Sequence, residues 1–122
     1  MKKLAFVLMV VTLFVMGIGS VVGQDMEMTC PGHDGNTIAS LQLCVNHAAT
    51  EGHITNNGIA KSLFAKLNAA QAAADRGQVN EAINNLRSFI NEVQAQAGKH
   101  IHADHAMHMI EHAQRVIAAL GG

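Results

Sequence analysis

A helical pattern occurs twice in this chain, and this repeat constrains the fold more than any other feature. The segment SLQLCVNHA aligns with NLRSFINEV, which pairs Cys44 with Phe89. Each segment runs into a glycine-containing turn and an isoleucine, in EGHIT and in GKHIH, and a second long helical pattern follows. Two copies that lie 45 to 47 residues apart predict a closed bundle of helices rather than a solenoid.

Four helices follow from the spacing of the apolar residues, which recur every three or four positions, and no stretch alternates long enough to predict a strand. The predicted helices cover residues 38–50, 56–76, 80–97 and 103–120. Asn36 or Thr37 suits the cap of the first helix and Thr55 that of the second, while Gly77 suits the left-handed position after the second. Short connections make successive helices antiparallel, so the expected fold class is all-α, a four-helix bundle built from two duplicated α-hairpins.

Each predicted helix has an apolar stripe that the bundle would bury. The first three stripes contain Ile38, Leu41, Val45 and Ala48; Ile59, Leu63, Leu67, Ala70 and Ala74; and Ile83, Leu86, Ile90 and Val93. The fourth stripe consists of Ala106, Ile110, Ala113, Ile117 and Leu120. Phe89 lies on or beside the third stripe, so its ring is expected in the core.

The N-terminus is typical of a secretory signal, because two lysines precede an apolar run at residues 4–22 and small residues follow its most hydrophobic part. Cleavage after Gly23 removes the signal peptide, residues 1–23, and leaves a flexible segment at 24–36 and a helical domain at 37–121. The expected location is secreted, periplasmic or otherwise extracytoplasmic. An uncleaved run of this length could span a membrane, so membrane association is expected only without cleavage.

Composition argues against several classes of function. Without Lys2 and Lys3, six basic residues remain against nine acidic residues, so the mature chain has a formal net charge of −3 with neutral histidines. This balance argues against a nucleic-acid partner. The sequence contains no phosphate-binding glycine loop, nucleophile elbow or HExxH motif. Cys44 and His47 could form a nucleophile and base, but no oxyanion donor or third orienting group accompanies them, so no enzyme activity or catalytic residue is expected.

The run FINEVQAQAGKHI at residues 89–101, with ITNNGIAKSLFAKLNAAQAAADRGQVNEAINNL upstream, resembles the FIMAH domain. This domain is a small helical module usually found at the C-termini of secreted bacterial and archaeal enzymes. The resemblance covers about residues 38–120. It implies a non-catalytic accessory or interaction module whose partner would be a protein or a cell-envelope component. The fourth helix is richer in histidine than the resemblance leads us to expect.

Histidines of the fourth helix are the main candidates for chemistry. His105, His108 and His112 lie within about 60° of one another around a helix. Imidazoles at such spacing can bind zinc, copper or nickel, which makes an extracytoplasmic metal-binding protein the alternative function. A solvated polar face needs no ligand, and a metal site needs three or four convergent ligands. The expected cofactor is therefore none, or one of these ions at that trio.

The two cysteines form a second pattern of candidate residues. Cys30, His33, Cys44 and His47 follow the spacing C-x2-H-x10-C-x2-H, which could bind a metal. Export exposes thiols to oxidation, so two cysteines in an exported chain favour a disulfide between Cys30 and Cys44. Reduced thiols and a metal bound by this pattern are the alternatives.

Overall fold

The computed structural model describes residues 35–122, which form four helices. Helix α1 spans Ile38–Thr50, α2 spans Asn57–Asp75, α3 spans Val79–Gln96 and α4 spans Ala103–Leu120. The all-α prediction is confirmed, and each helix begins and ends within one residue of its expected position. The predicted signal peptide and the greater part of the predicted flexible segment lie outside the described residues.

Side chains near the helix ends explain where α1 and α2 begin. Thr37 caps α1 in a capping box, because Thr37 Oγ1 accepts from the Ser40 backbone N–H at 3.1 Å and Ser40 Oγ accepts from the Thr37 N–H at 3.3 Å. The cap of α2 is Asn56, whose Oδ1 accepts from two backbone N–H groups. The predicted cap, Thr55, instead donates its backbone N–H to the carbonyl of His100 at 2.8 Å. Gly77 has φ +75°, as the left-handed turn after α2 requires.

The helices pack in a ring in which each contacts two neighbours. Helix α1 contacts α2 and α4, and α3 contacts α2 and α4. The core between them contains Leu41, Leu63 and Leu67, Leu86, and Phe89, each with no exposed side-chain surface. The stripes predicted for the first three helices therefore face the core, although Ile59, Ala74 and Ile90 lie at its edge.

The buried face of α4 differs from its predicted stripe. Ala106 and Ala113 are buried as expected, but the largest buried side chains are Met109, His112 and Val116. The predicted Ile110, Ile117 and Leu120 are only partly buried and pack against the edge of the core. The apolar pattern placed the stripe to one side of the true buried face, because it left out His112, whose ring finds polar partners inside the bundle.

A pair of backbone hydrogen bonds joins the turn between α1 and α2 to the turn between α3 and α4. The His102 N–H donates to the His53 carbonyl at 3.0 Å, and the Thr55 N–H donates to the His100 carbonyl at 2.8 Å. Ile54 and Ile101 form the antiparallel bridge between them, and both are buried. This contact fixes the two loops side by side at one end of the bundle. None of the helices within residues 35–122 has both the length and the apolar character needed to cross a membrane.

Candidate metal site

Three histidines converge where the two loops meet. His53 lies in the loop between α1 and α2, His102 immediately precedes α4, and His105 lies in the first turn of α4. One ring nitrogen from each can be chosen so that all three lie within 4.8 Å of one another. We call His53, His102 and His105 the histidine cluster.

The backbone explains why the histidine cluster forms. The hydrogen bond from the His102 N–H to the His53 carbonyl holds these two residues directly across the bridge between the loops. His105 follows His102 by three residues at the start of α4, so their side chains project on the same side of the helix. Two loops that are far apart in sequence thus bring three histidine side chains together at a position that the main chain already sets.

The distances within the cluster suit coordination of one ion. His53 Nδ1 lies 3.3 Å from His102 Nδ1, and one of these nitrogens donates a hydrogen bond to the other. Two nitrogens bound to one zinc ion at about 2.0–2.1 Å with tetrahedral geometry lie roughly 3.3 Å apart. The His53 and His105 rings stack with centroids 3.7 Å apart and an interplanar angle of 17°. Because the lone pair of an imidazole lies in the plane of its ring, the stacked His53 and His105 rings would have to rotate apart before both could bind one ion.

Electrostatics favours the neutral form of His105 within the cluster. Burial lowers the pKa of His105, and the nearby rings of His53 and His102 lower this pKa further, followed by His108 and His47. A neutral ring has a lone pair on one nitrogen, and only that form binds a metal ion. The His53 ring stacks on His105 and shares a hydrogen bond with His102.

The FIMAH domain family model matches residues 38–118, which is about two thirds of the chain and includes all three histidines of the cluster. The chain belongs to the FIMAH domain family. FIMAH is a small helical accessory domain found on secreted proteins, and it is not a known catalytic family. Comparisons with curated proteins and with solved structures give no match.

The FIMAH fold brings together a different set of histidines from the trio expected on α4. His105 belongs to the cluster, and His108 is exposed one turn further along α4, near enough to affect the pKa of His105. His112 is fully buried and points elsewhere. His53 was missed, because it lies in another hairpin and helix periodicity carries no information about residues outside the helix. The matching turns EGHIT and GKHIH indicate that the two loops are equivalent, but they pair His53 with His100 and not with His102.

His112 connects α4 to the start of α1 in this FIMAH domain. Its Nε2 lies 2.9 Å from Ser40 Oγ and 3.0 Å from the Gly35 carbonyl oxygen, and Ser40 Oγ also donates to the Gly35 and Thr37 carbonyls. Burial lowers the pKa of His112; the hydrogen bond to Gly35 opposes this shift and Arg115 adds to it. These contacts make His112 a structural residue of the bundle rather than part of the histidine cluster.

Two of the four residues of the cysteine pattern, Cys44 and His47, lie in the part of the chain that the structure describes. Cys44 is buried on α1, with 1% of its surface exposed, and His47 is half-buried one turn later. Cys30 and His33 lie outside the described residues. The disulfide between Cys30 and Cys44 therefore stays a prediction.

Proposed function

We propose that this chain is a secreted, non-catalytic FIMAH module that binds a first-row transition metal ion through His53, His102 and His105. The observation that supports the proposal is the convergence of three ring nitrogens within 4.8 Å, from two loops joined by backbone hydrogen bonds. Imidazole is a preferred ligand of zinc, copper and nickel. The predicted signal peptide supports action outside the cytoplasm.

The ligand set favours zinc, copper or nickel over calcium or magnesium. The latter two ions prefer oxygen ligands, and the three side chains offer only nitrogen. Among the common divalent ions, copper binds most tightly to a given nitrogen site, and the ion bound in a cell also depends on supply. Backbone contacts already hold the loops together, so little ordering of the chain opposes binding.

Metal binding by the mature protein, residues 24–122, tests this proposal. Calorimetric titration with zinc, copper or nickel at neutral pH should show one ion per chain. Replacement of His53, His102 and His105 by Ala together should abolish this binding. His100→Ala is the matched control, since His100 is exposed, lies in the same loop and is not one of the three ligands; this variant should bind as the wild type does.

A single substitution separates this ligand set from the trio His105, His108 and His112. His53→Ala should weaken metal binding at least 10-fold. Loss of a residue that only hydrogen-bonds a metal ligand already lowers metal affinity by about 10–100-fold, and His53 is a proposed ligand itself. His108→Ala should leave the stoichiometry unchanged. Tight binding that survives in the triple variant would contradict the proposed ligands, and no binding by the wild type would contradict metal binding altogether.

The second candidate is an interaction module for a protein or a cell-envelope component, which a groove on the surface of the bundle supports. The groove lies between α1 and α2, has a volume of about 500 Å³, and is lined by Ala39, Gln42, Leu43, Asn46, Phe64 and Asn68. Leu43 is 55% exposed at this groove and lies beside the half-buried Phe64, so the groove offers apolar surface to a partner.

Leu43→Asp tests the second candidate without disturbing the core, because Leu43 is more than half exposed and does not belong to the core. Affinity capture with wild-type and Leu43→Asp protein, compared by quantitative mass spectrometry, should show partners that the wild type retains and Leu43→Asp loses. Glu51→Ala, at an exposed residue near the opposite end of α1, is the control and should retain the same partners. Equal capture by all three proteins would argue against the groove as an interaction site.

A further inference from the structure

We propose that the groove between α1 and α2 binds a neutral oligosaccharide. The amide side chains of Gln42, Asn46 and Asn68 hydrogen-bond the hydroxyl groups of a sugar ring, and Phe64 contacts the C–H face of that ring. This inference rests on the second candidate function, the interaction module, and names the chemical class of its ligand. It does not depend on the metal site.

The size of the groove indicates a small ligand. Its volume of about 500 Å³ lies within the range of about 300–1,000 Å³ that small-molecule sites occupy. Six side chains line it, whereas each side of a stable protein interface has about 20–30 residues. Along α1 the lining runs from Ala39 to Asn46, a length of about 10 Å. An extended peptide would place only about three residues over this length, so a compact ligand fits the groove better than a protein segment.

The polar groups of the groove are amides, which suit a neutral ligand rich in hydroxyl groups. All six lining side chains are uncharged, so a phosphate or carboxylate would find no cation among them. A primary amide offers two N–H donors and an acceptor oxygen in one plane, and a hydroxyl group both donates and accepts. Each of the three amides can therefore donate to one hydroxyl group of a sugar and accept from the next.

Two of the amides are already held in place. Gln42 Nε2 donates to Asn68 Oδ1 at 2.9 Å, and this hydrogen bond joins α1 to α2 at the groove. The bond does not use Gln42 Oε1 or Asn68 Nδ2, so an acceptor and a donor remain at fixed positions for a ligand. Side chains that are ordered before binding lose less conformational entropy when the ligand arrives.

Apolar surface beside the amides suits the face of a sugar ring. Phe64 is half-buried in the groove, and Leu43 lies beside it with 55% of its surface exposed. A pyranose has hydroxyl groups around its edge and C–H groups on its face. The face of an aromatic ring carries partial negative charge, which attracts such C–H groups. One sugar can thus contact the amides and Phe64 together.

NMR titration of the ¹⁵N-labelled mature protein tests the inference. The probes are hexasaccharides of β-1,4-linked glucose, xylose, mannose and N-acetylglucosamine, all of which are neutral. With at least one probe, the side-chain NH₂ signals of Gln42, Asn46 and Asn68 should shift and saturate. The signal of Asn91, an exposed amide on α3, should stay unchanged. Absence of a shift at the three groove amides with every probe would overturn the inference.

Asn46→Leu combined with Asn68→Leu separates hydrogen bonding from apolar contact. Both residues are exposed, so the fold should be retained, which circular dichroism checks. The affinity for the bound oligosaccharide should fall about 10-fold or more, because each hydrogen bond contributes roughly a few-fold. Asn46→Gln with Asn68→Gln keeps the amides and should restore part of the affinity, and Asn91→Leu should bind as the wild type does. Equal affinity of the wild type and the double Leu variant would overturn the inference.

Failure of this inference and failure of the interaction module are distinguishable. If every oligosaccharide fails to bind but Leu43→Asp still loses captured partners, the groove binds protein; the inference is then overturned and the second candidate stands. If no oligosaccharide binds and Leu43→Asp captures the same partners as the wild type, both fail.

Discussion

His112 Nε2 lies 2.9 Å from Ser40 Oγ, and this contact joins the middle of α4 to the first turn of α1. Both residues are buried, His112 completely and Ser40 with 6% of its surface exposed. Buried polar groups are stable only with hydrogen-bond partners, and here Ser40 and the Gly35 carbonyl supply them. The same serine completes the capping box of α1, so one side chain supports both a helix end and a helix–helix contact.

Ser40→Ala should lower the free energy of unfolding by about 1–3 kcal/mol, because it removes a partner of a buried imidazole and one half of the capping box. Urea denaturation followed by circular dichroism measures this change. Ser88→Ala on the exposed face of α3 is the control and should change stability by less than about 0.5 kcal/mol. Equal effects of the two substitutions would show that the Ser40 contacts contribute little.

Acid should destabilise the fold partly through His112. The pKa of His112 is lower in the folded chain than its ordinary value of 6.5, so the unfolded chain binds more protons as the pH falls. The contribution of His112 to stability is therefore complete above about pH 6.5 and is lost on acidification below this value. His112→Gln keeps a polar side chain without this titration. The difference in melting temperature between pH 8 and pH 5 should be smaller in His112→Gln than in the wild type, and an unchanged difference would contradict the assignment.

Phe89→Ala should lower the free energy of unfolding by about 3–5 kcal/mol, since the ring is fully buried in the core and its removal leaves a cavity. Phe64→Ala is the matched control, because Phe64 is only partly buried at the edge of the core. Its loss should cost less. Denaturant titration of both variants checks the order, and a greater loss for Phe64→Ala would mean that the core is centred elsewhere.

Zinc at 100 times its dissociation constant should stabilise the folded protein by about 2.7 kcal/mol if it binds only the folded state. The ligands come from both hairpins, so binding opposes their separation. Thermal melts with and without zinc measure this effect. At the same zinc concentration the stabilisation should fall to about 1.4 kcal/mol or less in His53→Ala, whose affinity is at least 10-fold lower, and should stay at about 2.7 kcal/mol in His100→Ala. Equal stabilisation of both variants would indicate binding outside the histidine cluster.

A disulfide between Cys30 and Cys44 would close a loop of about 15 residues and stabilise the fold by up to about 3 kcal/mol in the chain-entropy model. Thiol labelling of the exported protein in denaturant, before and after reduction, should show no reactive thiol before and two after. The Cys30→Ser, Cys44→Ser double variant should stay helical with a lower melting temperature, because α2, α3 and α4 bury most of the core. Two reactive thiols before reduction would exclude the disulfide.

The sequence by itself determined the four helices, the left-handed turn at Gly77 and the burial of Leu86, Phe89 and Val93, because local periodicity and glycine chemistry act within a few residues of the chain. The sequence also contains the two matching turns that lead to Ile54 and Ile101. The family assignment depended on the same continuous segments.

Only the tertiary structure decided which histidines form the cluster at the loops and which one is buried between α4 and α1. Periodicity placed His105, His108 and His112 on one side of α4, but it could not show that α1 supplies hydrogen-bond partners that allow His112 to be buried. Nor could it show that the loop bridge places His53 beside His102 and His105, because that contact joins residues almost 50 positions apart. Side chains from separate hairpins meet only after the helices pack, and the histidine cluster is a product of that packing.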